Sequence, residues 1–206
     1  MITVIDSGVS NLGSIQNMLK RLSIPFNVAT VPGDVEAAQS IILPGVGSFD
    51  AGMRNLHDRG MAEPLTHKAM TERIPVLGVC LGMQLMTRGS QEGERPGLGW
   101  IPASTIKFNP SGNLQKIPYM GWNEVTAAKD DPLIAEMRPD TRFYFVHSYH
   151  VVCDDPNDVL LTAPYGSLPY TAAYRRGNLF GAQFHPEKSH KFGMWLLQNF
   201  SEIATP

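Results

Sequence analysis

Only two cysteines, Cys80 and Cys153, occur among the 206 residues, which is too few for a disulfide framework. No uninterrupted apolar run comes near the roughly 20 residues a membrane-spanning helix needs. Charged residues make up 17% of the chain, 17 basic against 19 acidic, with no Lys/Arg block or basic stripe to meet a phosphate backbone, so nucleic acid is not an expected partner. Internal repeats, low-complexity tracts and linkers are missing too. The opening Met1-Ile2-Thr3-Val4-Ile5-Asp6 reads as a strand entering a polar loop, without the basic region and apolar segment of an export signal. Together these absences predict a cytoplasmic, reducing setting that keeps Cys80 a free thiol.

What is present is an apolar content of 43% and a length suited to one well-buried core, so residues 1–206 are expected to form a single domain. Strand-like runs at Ile2–Asp6, Phe26–Ala29, Ser40–Leu43 and Pro75–Val79 are separated by segments of helical spacing such as Leu12, Ile15, Leu19 and Leu22. That alternation predicts an α/β fold with a mainly parallel central sheet flanked by helices and functional residues at the carboxyl ends of the strands. From about Gly97 to Gln183 strand-like pieces dominate: Thr105–Phe108, Phe143–Val146, Val159–Thr162, Thr171–Arg175 and Leu179–Gln183. An antiparallel extension is expected there, with a tight turn at Arg176-Gly177-Asn178. Phe192–Ile203 has the pattern of a closing amphipathic helix.

The chemistry concentrates at Gly78-Val79-Cys80-Leu81-Gly82, where glycines two residues either side of a cysteine suit a sharp strand-to-helix turn that lifts the sulfur clear of its neighbours. A lone cysteine is more often structural, and Cys153 fits that default. Cys80 is set apart by Gln183-Phe184-His185-Pro186-Glu187-Lys188, which supplies a histidine and an acid two residues apart. An extended backbone would put His185 and Glu187 on one face. Cys80, His185 and Glu187 are therefore the expected catalytic triad. Acyl chemistry at Cys80 also needs hydrogen-bond donors for an oxyanion, and two sources are at hand: the Leu81 amide and the loop Leu43-Pro44-Gly45-Val46-Gly47-Ser48. As a phosphate loop the latter lacks the Gly-Lys-Ser/Thr ending.

Five segments occur in order: Leu43-Pro44-Gly45-Val46-Gly47, Gly78 to Gln84, Met120-Gly121-Trp122-Asn123, Tyr144-Phe145-Val146-His147-Ser148-Tyr149 and His185-Pro186-Glu187-Lys188. In these the chain resembles the class I glutamine amidotransferases, and among them the glutaminase subunits of imidazole glycerol phosphate synthase. The resemblance covers nearly the whole length. It implies a flavodoxin-like fold, L-glutamine as substrate, no cofactor, and a heterodimer in which ammonia passes to a (β/α)8-barrel cyclase of histidine biosynthesis. Carried onto matching positions, it implies Cys80 as nucleophile, His185 as base and acid, and Glu187 as the group orienting His185. Val46, Gly47 and Leu81 would then be the oxyanion donors. Gln84, Glu92, Ser148 and Tyr149 would hold the polar end of glutamine, with Gln84 one helical turn beyond Cys80. Met120, Trp122, Asn123, Tyr144 and Lys188 would face the cyclase.

Other readings compete with this one. A paralogous glutaminase supplying ammonia for surface-polysaccharide sugars shares features of the Ser148–Cys153 and Ser189–Gly193 segments. A partner-independent cysteine hydrolase would use a similar turn, and a non-catalytic binding subunit would not need all three triad members. A metal site at His147 and His150 is not expected, because residues three apart on one strand point to opposite faces. Trp122, between Gly121 and Asn123, is expected on a loop.

Overall fold

The computed structural model describes residues 1–8, 11–109, 116–166 and 168–204. In chain order the elements are β1 (Ile2–Ile5), α1 (Leu12–Arg21), β2 (Phe26–Ala29), α2 (Pro32–Glu36), β3 (Ile41–Gly45), α3 (Phe49–Asp58), α4 (Ala62–Thr66), β4 (Val76–Cys80) and α5 (Leu81–Leu85). Then follow β5 (Ala103–Lys107), β6 (Tyr119–Glu124), β7 (Thr126–Ala127), β8 (Arg142–His147), β9 (Tyr149–Cys153), β10 (Val159–Tyr165), β11 (Leu168–Arg176), β12 (Leu179–Ala182) and α6 (His190–Ile203).

Among the described residues the main sheet has ten strands, ordered β2-β1-β3-β4-β12-β11-β10-β7, with β9 on β11 and β5 on β9. From β2 through β12 every pairing is parallel, and beyond β12 every pairing is antiparallel. The strands β1, β3, β4 and β12 are buried at every position, as expected for strands covered on both faces. Their side chains alternate between two cores. Ile2, Val4, Ile42, Leu77 and Val79 pack with α1 and α6 on one face, while Ile5, Ile41, Leu43 and Val76 pack with α2, α3, α4 and α5 on the other. Each large apolar side chain taken out of water contributes about 1.5–3 kcal/mol, so the two cores hold the parallel half rigid under the turn that carries Cys80.

The parallel half follows the sequence expectation within a residue or two at each strand, and α1 buries Ile15 and Leu19 as its spacing predicts. The hairpin also forms as expected, with Gly177 at φ +59° between paired Arg176 and Leu179. The segment Met120–Asn123 departs from expectation. It is not a loop but the middle of β6, paired antiparallel to β8 in a separate two-stranded ribbon, with Trp122 opposite Tyr144. Gly121 adopts φ +144°, a backbone setting that a side chain would strain.

The second departure concerns His147 and His150. Ser148 interrupts the chain between β8 and β9, so the two-face argument for one continuous strand fails. Both rings pack on Phe108, at centroid distances of 5.2 and 4.5 Å. Among the described residues no cluster of His, Cys, Asp or Glu is arranged to hold a metal ion, and no helix is long and apolar enough to cross a membrane.

Candidate active site

Cys80 ends β4 and caps α5 at φ +54°, ψ −110°, a strained setting for a residue with a side chain. The crowding around it explains the glycines. A Cβ on Gly82 would lie 1.8 Å from the Leu43 carbonyl oxygen, and one on Gly78 would lie 2.7 Å from both Met83 N and Met86 Sδ. Tyr174 braces the helix from below, its buried hydroxyl donating to Met83 O at 2.9 Å. Gly45 is paired with Cys80 across the β3–β4 ladder, so the chain following β3 rises beside the sulfur.

His185 arrives from the adjacent strand, just after β12, which pairs in parallel with β4. Its φ of −103° and ψ of 97° are extended, but Pro186–Lys188 then turns as a short 3₁₀ helix. The histidine and the acid thus meet across a turn rather than along a strand. Nδ1 of His185 lies 2.8 Å from Glu187 Oε1, with both side chains almost fully buried. Two further residues hold the loop. Ser189 Oγ donates to His185 O at 2.7 Å and accepts from Tyr144 N at 3.0 Å, and the His185 amide donates to Tyr144 O at 2.9 Å. Gly193 lets α6 press close, since a Cβ there would sit 1.8 Å from Pro186 O.

The electrostatics separate two neighbouring histidines. Burial would lower the His185 pKa, but hydrogen bonds and charge from Cys80 and Glu187 outweigh it and raise the value to about 9. His147 lacks such partners, and burial pushes it down to about 4. Its Nδ1–H donates to Tyr149 O at 2.8 Å, leaving Nε2 buried without a partner among the described residues. At neutral pH the His185 ring is therefore cationic and the His147 ring neutral.

Cys80, Leu81, Val46, Gly47, Gln84, Glu92, Ser148, Tyr149, His185 and Lys188 all line one cavity of about 290 Å3. Every expected oxyanion and glutamine-binding residue is thus at the same place. Gly47, at φ +97°, lets the loop turn at the rim, and Leu81 opens α5, where backbone N–H groups lack helical acceptors. Glu92 caps α3 as well as lining the cavity, because its Oε2 accepts from the Phe49 amide at 2.8 Å. Asp50, which sequence reasoning missed, folds the loop carrying Glu92 by accepting from the amides of Glu94 and Arg95. Those bonds hold its carboxyl below the usual range.

The expected partner residues divide between two faces of the β6–β8 ribbon. Met120 and Trp122 point outward and are exposed, at 62% and 41%. Trp122 stacks on His190 at 5.6 Å, and Lys188 Nζ sits 5.9 Å from the Tyr144 ring. Asn123 points the other way, its Nδ2 donating to Pro164 O at 2.8 Å.

A family model for class-I glutamine amidotransferases matches residues 3–203. The chain belongs to that family. It is 49% identical to the imidazole glycerol phosphate synthase subunit HisH 2 of Pseudomonas aeruginosa over 204 residues, covering 99% of this chain and all of that one. The HisH 2 of Methanococcus maripaludis is 47% identical with the same coverage, and the HisH of Leptospira interrogans is 44% identical across 98% of this chain and all of its own. Among solved structures, a glutamine amidotransferase superposes with a TM-score of 0.77 over both whole chains at 19% identity. The PurLQS structure of Thermotoga maritima gives 0.70 at 18% identity, covering 97% of this chain and 96% of that one, and at such identities it is the amidotransferase fold that is shared.

Proposed function

We propose that this class-I amidotransferase is the glutaminase subunit of an imidazole glycerol phosphate synthase, acting through Cys80, His185 and Glu187 as one domain. The observation that carries the chemistry is that a strained cysteine and His185, more than a hundred residues apart in sequence, share the cavity that Gln84, Glu92, Ser148 and Tyr149 line, with Glu187 hydrogen-bonded to the imidazole.

The reaction that fits is hydrolysis of the glutamine side-chain amide through a thioester. Cys80 Sγ attacks the carboxamide carbon and a C–S bond forms, while negative charge gathers on the carbonyl oxygen. The amides of Leu81 and the Val46–Gly47 loop are the donors for that oxygen, each worth about 2.7–4 kcal/mol by comparison with well-studied cases. The imidazolium of His185 gives its proton to the amide nitrogen, the C–N bond breaks and ammonia leaves. His185, now neutral, takes a proton from water; the hydroxyl adds to the γ-glutamyl thioester, the C–S bond breaks, and glutamate leaves. A His185 pKa raised to about 9 suits the first half, because the proton is already in place when the leaving group needs it. Glu187 holds the imidazole through Nδ1 so that Nε2 is free for this transfer.

Free ammonia in neutral water becomes ammonium and loses its nucleophilicity, so the product is useful only when it passes directly to a second active site. The partner we assign is a (β/α)8-barrel cyclase docked on the outward face of the β6–β8 ribbon, with Met120, Trp122, Tyr144 and Lys188 in contact and Asn123 supporting the ribbon from behind. The names of the full-length relatives favour histidine biosynthesis over the polysaccharide-linked alternative. Glutamate release with and without the histidine-pathway barrel and its ribulosyl carboxamide ribotide tests the assignment. Stimulation by that pair is expected. Failure with it, alongside success with a barrel from a polysaccharide locus, would overturn the pathway and leave the glutaminase reaction standing.

A further inference from the structure

The polar bonds beneath the nucleophile run through Gln183, which neither the triad nor the glutamine-binding set includes. Gln183 is wholly buried, two positions before His185, and its backbone amide donates to Ala172 O at 2.9 Å. Its side-chain Oε1 accepts from Gln84 Nε2 at 3.0 Å, and its own Nε2 faces Cys80 Sγ at 3.8 Å. Gln84 Nε2 donates at the same time to Tyr149 O at 3.2 Å.

This network fixes which way the Gln183 carboxamide points. Gln84 has two amide hydrogens, one directed at the Tyr149 carbonyl and the other at Gln183, so Gln183 must offer oxygen on that side. Its NH2 group then has to face the sulfur. The opposite flip would set nitrogen against nitrogen and leave a carbonyl oxygen against the sulfur lone pairs. With both Gln84 hydrogens engaged, its carbonyl oxygen alone remains uncommitted at the cavity.

We propose that Gln183 is a positioning residue for the glutaminase reaction: it donates a hydrogen bond to the Cys80 sulfur and fixes that sulfur relative to the Gln84–Tyr149 segment that grips glutamine. The proposal rests on Cys80 being the nucleophile. An N–H aimed at sulfur favours the anion over the neutral thiol, since the anion is the stronger acceptor. The bond is long, so its effect is that of a single modest donor. A residue that merely filled the core would be replaceable by an apolar side chain of equal length without altering the sulfur's reactivity.

The experiment measures alkylation of Cys80 by iodoacetamide as a function of pH, with peptide mass mapping to separate it from Cys153, together with melting temperature and the kcat and KM for glutamine. Wild-type protein is read first: alkylation at Cys80 that left turnover intact would sink the nucleophile reading and the proposal that rests on it, whereas with alkylation abolishing turnover the Gln183 variants test the role of Gln183 alone. Gln183→Met keeps the length and removes the donor, and Gln183→Glu keeps the shape but sets a second oxygen against the sulfur. Both are expected to move the alkylation profile to higher pH, with the neutral-pH rate down about tenfold in the first and further in the second, and kcat falling more than KM rises. Gln84→Leu, which frees the Gln183 carboxamide to turn, gives a smaller shift in the same direction and decides the matter should neither Gln183 variant fold. An unchanged profile in a folded Gln183 variant, or in Gln84→Leu where that alone folds, overturns the proposal; so does a loss confined to KM.

Discussion

The two halves of the sheet each carry one cysteine, and they treat it in opposite ways. In the parallel half, Cys80 stands on a strained turn at the carboxyl end of β4, facing a cavity and flanked by a raised-pKa histidine and an amide donor. In the antiparallel half, Cys153 ends β9 in a regular pairing with Ala103. Burial, with Asp158 and Asp154 nearby, pushes its thiol up to about 12. Burial alone does not separate the two, for Cys80 is the more buried. What differs is whether backbone and neighbours are arranged to receive negative charge.

The most severe way to break this comparison is to exchange the roles. Cys80→Ala is expected to lower glutamine turnover at least a thousandfold, with the melting temperature nearly unchanged because alanine fits the turn. Cys153→Ala should stay within about twofold of wild type. Glutamate release by the two purified variants checks both, and turnover that survives the first but not the second would reverse the assignment. A glutamine-analogue electrophile should label Cys80 and spare Cys153 in the same preparation.

Next come the partners of Cys80. His185→Asn removes the proton carrier and should cost nearly all activity. Glu187→Gln keeps the hydrogen-bonding shape and should be about a hundredfold less severe. Steady-state kinetics give the ordering, and equal losses would mean that Glu187 does more than orient. The His185 charge also carries a signature in stability. Its folded pKa, about 9, lies above the unfolded value near 6.5, so its contribution is fully present below about pH 6.5 and is lost as pH rises through about 9. Denaturant midpoints of wild type and His185→Asn should therefore converge as pH rises across that window. A gap that widened there would contradict the sign.

The halves differ in legibility as well. Strands β1, β3 and β4 of the parallel half are buried on both faces, and such continuous apolar runs bounded by turns are the plainest strand signal a sequence offers. Beside the antiparallel half, in the separate two-stranded ribbon, lies β6, whose Tyr-Met-Gly-Trp-Asn-Glu carries a glycine at φ +144° and an exposed tryptophan, and local composition reads that as a loop. Only its pairing with β8, further along the chain, makes it a strand, and that pairing is tertiary information. The candidate site is legible where a motif points to the residues that the structure brings together, at Cys80, His185 and Glu187. It is not legible at Asp50, Ser189 or Gln183, polar residues whose partners lie far off in sequence.

Crowding at the Cys80 turn gives the next effect in size. Gly82→Ala would drive a Cβ to 1.8 Å from Leu43 O, which backbone shifts alone can relieve, whereas Gly13 in α1 has no atom of the described residues within 4 Å of a built Cβ. Overpacking of this kind costs about 1–3 kcal/mol, while alanine at an open helix position is neutral to slightly favourable. Urea midpoints should separate the two substitutions, and equal midpoints would mean the turn is looser than its contacts imply.

The smallest effect on the isolated chain is expected at the ribbon, and there it sharpens the contrast between the halves. Trp122 lies on the outward face of β6, stacked on His190 and approached by the Arg142 guanidinium at 6.0 Å from its ring. Those contacts hold the indole in place without burying it, which is how an anchor for a partner surface is prepared. Trp122→Ala removes no buried contact of either main core, so the melting temperature should fall by no more than a few degrees. Basal glutamine turnover should stay within about twofold, because the cavity residues are untouched. Binding to the barrel should weaken by about tenfold or more, since truncating an aromatic anchor costs at least about 1–2 kcal/mol at an interface. Titration of the barrel into wild-type and variant chains, read by glutaminase stimulation, distinguishes the outcomes. Equal half-stimulation concentrations would place the docking surface elsewhere, and a loss of basal turnover would mean that the antiparallel ribbon supports the site as well as the partner.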